Sequence, residues 1–335
     1  MNPAIKRVAR VGRRALAKVA GKENPVERYF MDRSSKIRGR QITEQGDTWI
    51  QHTGRTSIVV KNKDNPEPRR GIYLQGACDL SSIFVLAPMF REDVKGTVAV
   101  YRHGIGIADG RSDVLVQSMK NLPLDDLRET IELFELGDDY FRPTTFEPTF
   151  QIAGAPEFGV FPKDVVVFSL GGELVRSLYQ HREKGFIVDP GGLWLNQDLN
   201  TVVKDLDKVK WFHKNFRKIG RIDLEDYLRN FETIVTAIRE RAGAEVVVYN
   251  SLVVEPNDPT HNYQLIEHST AFRRREFNMG LADLSRKLGF YVVDVDRTLK
   301  REGVSEQVDF AHYPEEKTRP VAVEALRIFK ELEVI

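Results

Sequence analysis

Residues 71–82 read GIYLQGACDLSS, an apolar run that stops at a glycine just before the only cysteine of the chain. The run predicts a buried β-strand over residues 71–75, and Gly76 breaks it. We expect a helix over residues 79–90, which places Cys78 at a strand-to-helix junction. In a parallel α/β sheet such a junction lies at the carboxyl edge of the strands, where ligands bind.

The rest of the chain repeats this alternation of short apolar runs and helical periods. The clearest buried strand is the run DVVVFSL at residues 164–170, which stops at Gly171. Further strands are predicted over residues 97–101, 244–252 and 290–295, and helices over residues 112–136, 223–242, 270–288 and 320–332. This alternation predicts a doubly wound, flavodoxin-like sheet of five parallel strands in a three-layer α/β/α arrangement. Right-handed crossovers then bring the carboxyl ends of all five strands to one edge.

Changes in composition along the chain indicate its domain organisation. Residues 1–22 form a basic segment, residues 23–70 a small N-terminal appendage with two short strands that suggest a hairpin, and residues 71–335 the α/β domain. Residues 183–222 interrupt the alternation with a Gly-Gly pair, two tryptophans and a cluster of lysines and arginines. We interpret this insertion either as a lid over a binding site or as a surface helical excursion with a solvated charged face.

The basic segment allows several interpretations. Residues 1–22 contain seven lysines and arginines and no acidic residue. Apolar residues recur among them at roughly helical spacing, which is typical of an amphipathic helix on an anionic membrane surface. The same composition fits a solvated tail or an organelle transit peptide, whereas no apolar stretch indicates a secretory signal. We predict a cytoplasmic protein, with peripheral contact to an anionic membrane through residues 1–22 as one alternative.

The composition excludes several classes of protein. A net charge of +1 over 335 residues gives no electrostatic reason to bind nucleic acid. No run approaches the ~20 apolar residues that a membrane-spanning helix needs. A single cysteine excludes an intrachain disulfide. A hydrophobic content of 41% is that of an ordinary globular protein.

A second informative stretch lies near the C-terminus, where residues 308–314 read VDFAHYP. Asp309 and His312 are three residues apart, ahead of the last predicted helix. Together with Cys78 they supply a base, an orienting carboxylate and a nucleophile, the groups that nucleophilic acyl chemistry needs. A thiol near a helix N-terminus and an imidazolium has a lowered pKa, and it then attacks carbonyl carbons without a strong base.

Each of these groups also has a plainer interpretation. A lone cysteine is commonly a buried small hydrophobe, and in that case Ser81 or Ser82 is the alternative nucleophile. Asp309 serves equally well as a helix cap or a loop carboxylate. We therefore keep a structural role for Cys78 and Asp309 as the alternative.

The other predicted strand ends also carry groups with chemistry. His103 and Gly104 follow the second strand, and Gly172 and Glu173 follow the third. The histidines of the chain show no metal-ligand spacing, and its glycine pairs lack the strand–glycine–helix context of a nucleotide fingerprint. We therefore predict neither a metal nor a cofactor.

The order of these motifs resembles that of the SGNH/GDSL hydrolase superfamily, over roughly residues 71–332. The first block of that family is Gly-Asp-Ser with serine as the nucleophile. Here Cys78 takes the place of the serine, as in the GSCFA and capsule-biosynthesis (WcbI-like) relatives. The second block is a glycine whose N–H holds the oxyanion, and Gly104 is similar to it. The last block is Asp-x-x-His, which Asp309 and His312 match.

The third block of the family, Gly-x-Asn, differs here because Glu173 stands in place of the asparagine that holds the oxyanion. An ionised carboxylate aimed at an oxyanion would oppose its formation. We therefore expect Glu173 to be turned away, paired with a base such as Arg102 or Arg176, or protonated, and we predict that it makes a salt bridge or a structural hydrogen bond. The backbone N–H groups of Cys78 and Gly104 would then form the oxyanion hole.

The resemblance implies an SGNH-like catalytic domain over residues 71–335. Its expected activity is that of an esterase or O-acyltransferase on an acylated carbohydrate or other hydroxyl compound. The expected partners are a small-molecule or glycan substrate and an acyl donor. The catalytic candidates are Cys78, His312 and Asp309, and the candidates for oxyanion or substrate binding are His103, Gly104, Gly172 and Glu173. The rival interpretation is an inactive protein of this fold that binds glycans or an assembly.

Overall fold

The computed structural model describes residues 41–45, 48–52, 57–62, 64–76, 78–81, 83, 90, 92–102, 111–134, 140–141, 144–151, 160–189, 205–254, 270–304, 313 and 315–335. The basic segment, residues 1–22, lies outside this part of the chain. No helix within these ranges is both long enough and apolar enough to cross a bilayer.

Strands and helices alternate along the described chain. The strands are β1 (Gln41–Gln45), β2 (Thr48–His52), β3 (Ser57–Asn62), β4 (Arg69–Gln75), β5 (Thr97–Arg102), β6 (Thr149–Gln151), β7 (Val160–Pro162), β8 (Val165–Ser169), β9 (Leu178–His181), β10 (Ile187–Val188), β11 (Phe216–Gly220), β12 (Glu245–Tyr249) and β13 (Tyr291–Val293). The α-helices are α1 (Ser112–Ser118), α2 (Leu124–Phe134), α3 (Gly171–Val175), α4 (Leu206–Asn215), α5 (Leu224–Ala242), α6 (Thr270–Leu288), α7 (Val295–Arg301) and α8 (Thr318–Glu331). Short 3-10 helices cover Cys78–Ser81, Thr144–Phe146 and Glu315–Lys317.

Parallel strands form the centre of the main sheet. They lie in the order β5, β4, β8, β12, β13, and each neighbouring pair among them is parallel. Counted along the chain, this is the 2-1-3-4-5 order of flavodoxin-like sheets. The predicted doubly wound sheet of five parallel strands is confirmed as the core of the fold.

Helices cover both faces of this core, because alternate residues of each strand point to opposite sides of the sheet. In β8, Val165 and Val167 are buried in one hydrophobic cluster with residues of α7 and α8. Val166 and Phe168 are buried in the other cluster with residues of α5 and α6. The predicted three-layer arrangement is therefore confirmed.

Three N-terminal strands extend the same sheet. β3 pairs antiparallel with β5, β2 with β3 and β1 with β2, so the sheet has eight strands. The hairpin suggested for the appendage is confirmed by the pairing of β2 with β3. Ile58 and Val60 of β3 are fully buried in the same cluster as residues of β4 and β8, so this part of the predicted appendage packs on the α/β core.

Two elements differ locally from the sequence prediction. Of the helix expected over residues 79–90, the structure describes the 3-10 helix Cys78–Ser81, and most of the remainder lies outside the described residues. The strand expected over residues 290–295 stops at Val293, and the unpredicted helix α7 follows it. The reason is Asp294, whose carboxylate accepts a hydrogen bond from Arg297 N and caps α7.

The insertion forms a small second sheet. β10, β9 and β11 pair antiparallel, and α4 packs on them through Phe212, whose ring stacks on Phe216 at 4.6 Å. The sheet begins at Leu178, shortly after α3, and the predicted insertion of residues 183–222 supplies β10, α4 and β11. The basic side chains of α4 and β11 are exposed, as expected for a solvated charged face: Lys208, Lys210, Lys214, Arg217 and Lys218. Residues 190–204 lie outside the described part of the chain, so the lid stays a prediction.

Candidate active site at the carboxyl edge of the sheet

The carboxyl ends of β4 and β8 lie side by side at one edge of the sheet. Gln75, the last residue of β4, pairs with Phe168 of β8, so Gly76 lies beside Ser169. A Cβ atom on Gly76 would lie 3.0 Å from both the Cβ and the backbone nitrogen of Ser169. A side chain at this position would be crowded, so a glycine suits a turn this close to β8. The turn delivers Cys78 to the first position of the 3-10 helix.

A chain of hydrogen bonds links this turn to the turn after β8. The Asp79 carboxylate accepts a bond from Ser169 Oγ at 2.5 Å and another from Leu80 N at 3.0 Å. Ser169 Oγ in turn accepts a bond from Gly171 N at 3.0 Å. The sequence analysis singled out neither Asp79 nor Ser169 as a site residue. Their positions in the sequence could have indicated them, since Asp79 directly follows Cys78 and Ser169 is the last residue of a buried strand.

Glu173 lies in α3, and its carboxyl group is bound to the start of α1. Ser112 N donates to Oε1 at 2.6 Å, and Ser112 Oγ donates to Oε2 at 3.1 Å. The expected structural hydrogen bond is therefore confirmed. Of the two arginines proposed as ion-pair partners, Arg176 is paired with Asp189, and the side chain of Arg102 lies outside the described part of the structure.

Burial governs the protonation state of Glu173. The residue is 5% exposed. Desolvation, helped by the charge of Asp113, raises the pKa of the Glu173 carboxyl to about 8, against the opposing effects of Arg111 and of the bonds from Ser112. At pH 7 Glu173 is thus mostly protonated. A neutral carboxyl bound to α1 does not present the charge that would oppose an oxyanion.

Arg111 holds the start of α1 in place. Its buried guanidinium donates to the carbonyl oxygens of Arg176, at 2.9 Å, and Gly220, at 2.5 Å. It also binds the Asp113 carboxylate through two nitrogens, at 3.2 and 2.6 Å. Arg111 directly follows residues 103–110, which include the predicted oxyanion donor Gly104. Its hydrogen bonds therefore link the start of α1 to the end of α3 and to the insertion.

A buried ion pair joins α3 to the insertion. Arg176, next to the end of α3, pairs with Asp189 after β10, and their side chains are 6% and 2% exposed. Asp189 N also donates to the Tyr140 hydroxyl oxygen at 2.9 Å. Burial and the nearby Asp189 charge raise the pKa of Tyr140, so this hydroxyl stays protonated. These contacts fix the insertion next to the candidate site.

The ends of β12 and β13 complete the same edge. Asn250 Nδ2 donates to Asp294 Oδ1 at 2.9 Å, and Asn250 Oδ1 accepts from Asp296 N at 3.1 Å. The buried guanidinium of Arg274 donates to Ser251 Oγ at 3.1 Å. These polar side chains join neighbouring loops to one another, so they have a structural role at this edge.

Part of the predicted site falls outside the described residues. His103, Gly104, Asp309 and His312 lie there, and so does the side chain of Cys78. The structure brings the Cys78 backbone, Gly172 and Glu173 to the two neighbouring turns after β4 and β8. The Cys–His–Asp geometry stays a prediction. Among the described residues, no group of three or more His, Cys, Asp or Glu side chains could hold a metal ion.

Comparisons with known proteins give similarities of fold. No family model matches the chain, and no curated protein sequence matches it. Among solved structures, the chain is similar to an aryl esterase from M. smegmatis, with 13% identity, a TM-score of 0.41, and coverage of 78% of this chain and 99% of the esterase. It is also similar to an acetylxylan esterase from Geobacillus stearothermophilus, with 11% identity, a TM-score of 0.38, and coverage of 77% and 93%.

A third similar structure is the lipase/acylhydrolase from Enterococcus faecalis, with 13% identity, a TM-score of 0.37, and coverage of 78% of this chain and 96% of the other. Each of these three proteins is named as an esterase or as a lipase/acylhydrolase. At these identities and TM-scores, however, the similarity carries no argument about the activity of this chain.

Proposed function

We propose that the protein is an enzyme of ester chemistry, an esterase or an O-acyltransferase, with Cys78 as its nucleophile. The observation that supports this most is the glycine-dependent turn after β4, which places Cys78 at the start of a helix on the carboxyl edge of a doubly wound sheet. Ligands bind at that edge in such sheets. The first N–H groups of a helix lack an intrahelical acceptor, which suits them to an oxyanion.

In the proposed reaction, His312 takes the thiol proton and the Cys78 sulfur attacks the ester carbonyl carbon. A C–S bond forms and the carbonyl oxygen becomes a tetrahedral oxyanion. When it collapses, the C–O bond to the alcohol breaks, and His312 returns the proton to the departing alkoxide. Water or an acceptor hydroxyl then attacks the thioester, with His312 again as base, and Cys78 leaves as the thiol. Asp309 holds the imidazole in the required tautomer.

The oxyanion is assigned to the backbone N–H groups of Cys78 and Gly104, with His103 and Gly172 beside the substrate. Preorganised donors of this kind contribute about 10²–10³ each to the rate. The binding of Glu173 to Ser112 supports this assignment, because the carboxyl group is occupied at α1.

The substrate class follows from the family resemblance of the sequence. An acylated carbohydrate or another hydroxyl compound is the proposed substrate, with an acyl donor where the reaction is a transfer. The proposed location is cytoplasmic, with contact to an anionic membrane through residues 1–22 as the alternative.

A second candidate function is that of a binding protein without catalysis. The observation that favours it is Glu173, since the third block then lacks the asparagine side chain that holds the oxyanion in the family that the sequence resembles. In that case the fold is retained to bind a glycan or to join an assembly.

A panel of aryl esters and acetylated sugars tests the proposal, with wild type compared against Cys78→Ala and Cys78→Ser. We expect Cys78→Ala to abolish turnover while the circular dichroism spectrum stays that of the wild type. Cys78→Ser should retain a trace at best, because a hydroxyl needs more base assistance than a thiol. Ser81→Ala and Ser82→Ala are the matched controls. Full turnover in Cys78→Ala would show that the nucleophile is wrong, and the absence of turnover in wild type would favour the binding protein.

A further inference from the structure

We propose that Asp79 and Ser169 are positioning residues for Cys78, an inference that rests on the proposed function. Their side chains connect the turn that carries the nucleophile to the turn that begins α3. Neither residue needs to touch the substrate for this role. They act by fixing the Cys78 backbone relative to Gly171 and Gly172.

Hydrogen bonds of the Ser169 and Asp79 side chains join the two turns. Ser169 Oγ donates to Asp79 Oδ2 at 2.5 Å, and Gly171 N donates to Ser169 Oγ at 3.0 Å. Leu80 N, in the helix that starts at Cys78, donates to Asp79 Oδ1 at 3.0 Å. The connection thus begins at the backbone of α3 and ends at the backbone of the Cys78 helix. Small displacements between a nucleophile and its oxyanion donors slow catalysis steeply.

The two turns are closely packed at Gly76, which limits how far they can move relative to each other. The Cβ position of Gly76 is 3.0 Å from Ser169 Cβ, 3.0 Å from Ser169 N and 3.0 Å from Leu80 Cδ1. The turn after β4 therefore passes so close to the end of β8 that even a methyl group on Gly76 would be crowded. Contact sets how closely the turns approach, and the hydrogen bond sets their alignment.

Asp79 also has an electrostatic effect on Cys78, which opposes the benefit of its positioning role. A carboxylate on the neighbouring residue disfavours the thiolate form of Cys78. The two donors, Ser169 Oγ and Leu80 N, partly offset this negative charge. Removing the carboxylate charge and removing the serine donor should therefore shift the thiol reactivity of Cys78 in opposite directions.

The other end of the same strand pair offers a matched control. Asp164 precedes β8, and its carboxylate accepts a bond from Gly71 N of β4 at 2.7 Å and another from Arg70 at 2.9 Å. It ties β4 to β8 as Asp79 does, but at the amino end of the strands. Asp164→Asn thus removes a similar link while leaving the surroundings of Cys78 intact.

The experiment measures the alkylation of Cys78 by iodoacetamide between pH 5 and 9, which reports on one site because the chain has one cysteine. At pH 7 we expect Asp79→Asn to react about threefold to tenfold faster than wild type, and Ser169→Ala about threefold more slowly. Ser169→Thr keeps the hydroxyl and should restore the wild-type profile. Asp164→Asn should lower the urea midpoint without changing the profile.

Turnover of p-nitrophenyl acetate supplies the second readout. Both Asp79→Asn and Ser169→Ala should lower kcat by about tenfold to a hundredfold, with KM within about twofold of wild type. Alkylation profiles equal to that of Asp164→Asn, or shifted in the same direction by both variants, would overturn the positioning role. If Cys78→Ala retained turnover, the proposed function would fail instead, and if Ser169→Ala abolished turnover while Cys78→Ala and Asp79→Asn kept it, Ser169 would be the nucleophile.

Discussion

Replacing Glu173 by glutamine should remove a pH dependence of stability that the buried carboxyl group creates. The pKa of Glu173 is raised from an ordinary value of 4.5 to about 8 in the folded protein. Between these values the folded protein holds a proton that the unfolded chain releases. The contribution is fully present below about pH 4.5 and is lost as the pH rises through 8, because the folded state binds the proton more tightly.

The size of this change in unfolding free energy follows from the interval between the unfolded and folded pKa values of Glu173. One pKa unit corresponds to about 1.4 kcal/mol, so the wild type should lose about 2 kcal/mol of unfolding free energy between pH 6 and pH 8 through this group. Glutamine keeps an acceptor for Ser112 N and places its amide where the protonated oxygen lies, so Glu173→Gln should lack this loss.

Urea unfolding at pH 6, 7 and 8 measures the effect as the difference in unfolding free energy between wild type and Glu173→Gln. Other titrating groups cancel in that difference. Glu129→Gln, on the exposed face of α2, is the matched control for the substitution itself. A difference between wild type and Glu173→Gln that stays constant from pH 6 to pH 8 would refute the burial argument.

Three further outcomes are expected. Gly76→Ala should destabilise the protein by about 1–3 kcal/mol in urea unfolding, because its Cβ would lie only 3.0 Å from Ser169 and force a shift at the end of β8; an unchanged midpoint would mean that the turn adjusts freely. Asp189→Ala should cost about 3–5 kcal/mol by leaving the buried Arg176 guanidinium without this carboxylate, whereas Asp207→Ala in an exposed pair should cost under about 1 kcal/mol. In ester assays, Glu173→Gln should change the rate by less than about tenfold, or roughly 1.4 kcal/mol; a large gain in Glu173→Asn would instead favour the binding protein.

The parallel core could be predicted from sequence because each of its strands is a short apolar run followed by a break. Residues 165–169 are buried on both faces, so every position in the run is apolar except the terminal Ser169. The second sheet was missed because β10 has two residues and β9 carries polar side chains. Helix α7 was missed because no glycine or proline separates it from the preceding apolar run. The capping carboxylate of Asp294 is the signal that marks its start.

The candidate site was predictable only in part. Their positions at strand ends made Cys78 and Glu173 candidates, and the proposed oxyanion predicted that the Glu173 carboxyl would have a partner. That partner is Ser112, which lies 61 residues away in the chain. Pairings at such separations depend on how α1 and α3 pack together, which no local pattern in the sequence encodes. The Asp79–Ser169 bond was missed for the same reason.

The antiparallel strands β1–β3 limit how far the chain can be shortened from its N-terminus without exposing an edge of the parallel sheet. A chain shortened to start at Arg69 would keep every parallel strand, but β5 would lose the backbone partners that β3 supplies to residues 97–101. With β4 as its one remaining neighbour, β5 would become an edge strand that carries the valines Val98 and Val100, and an exposed apolar edge is a template for pairing with another chain. Truncation at the apparent start of the α/β pattern should therefore yield a protein that associates edge to edge, whereas a chain that retains β3 keeps β5 in the interior of the sheet.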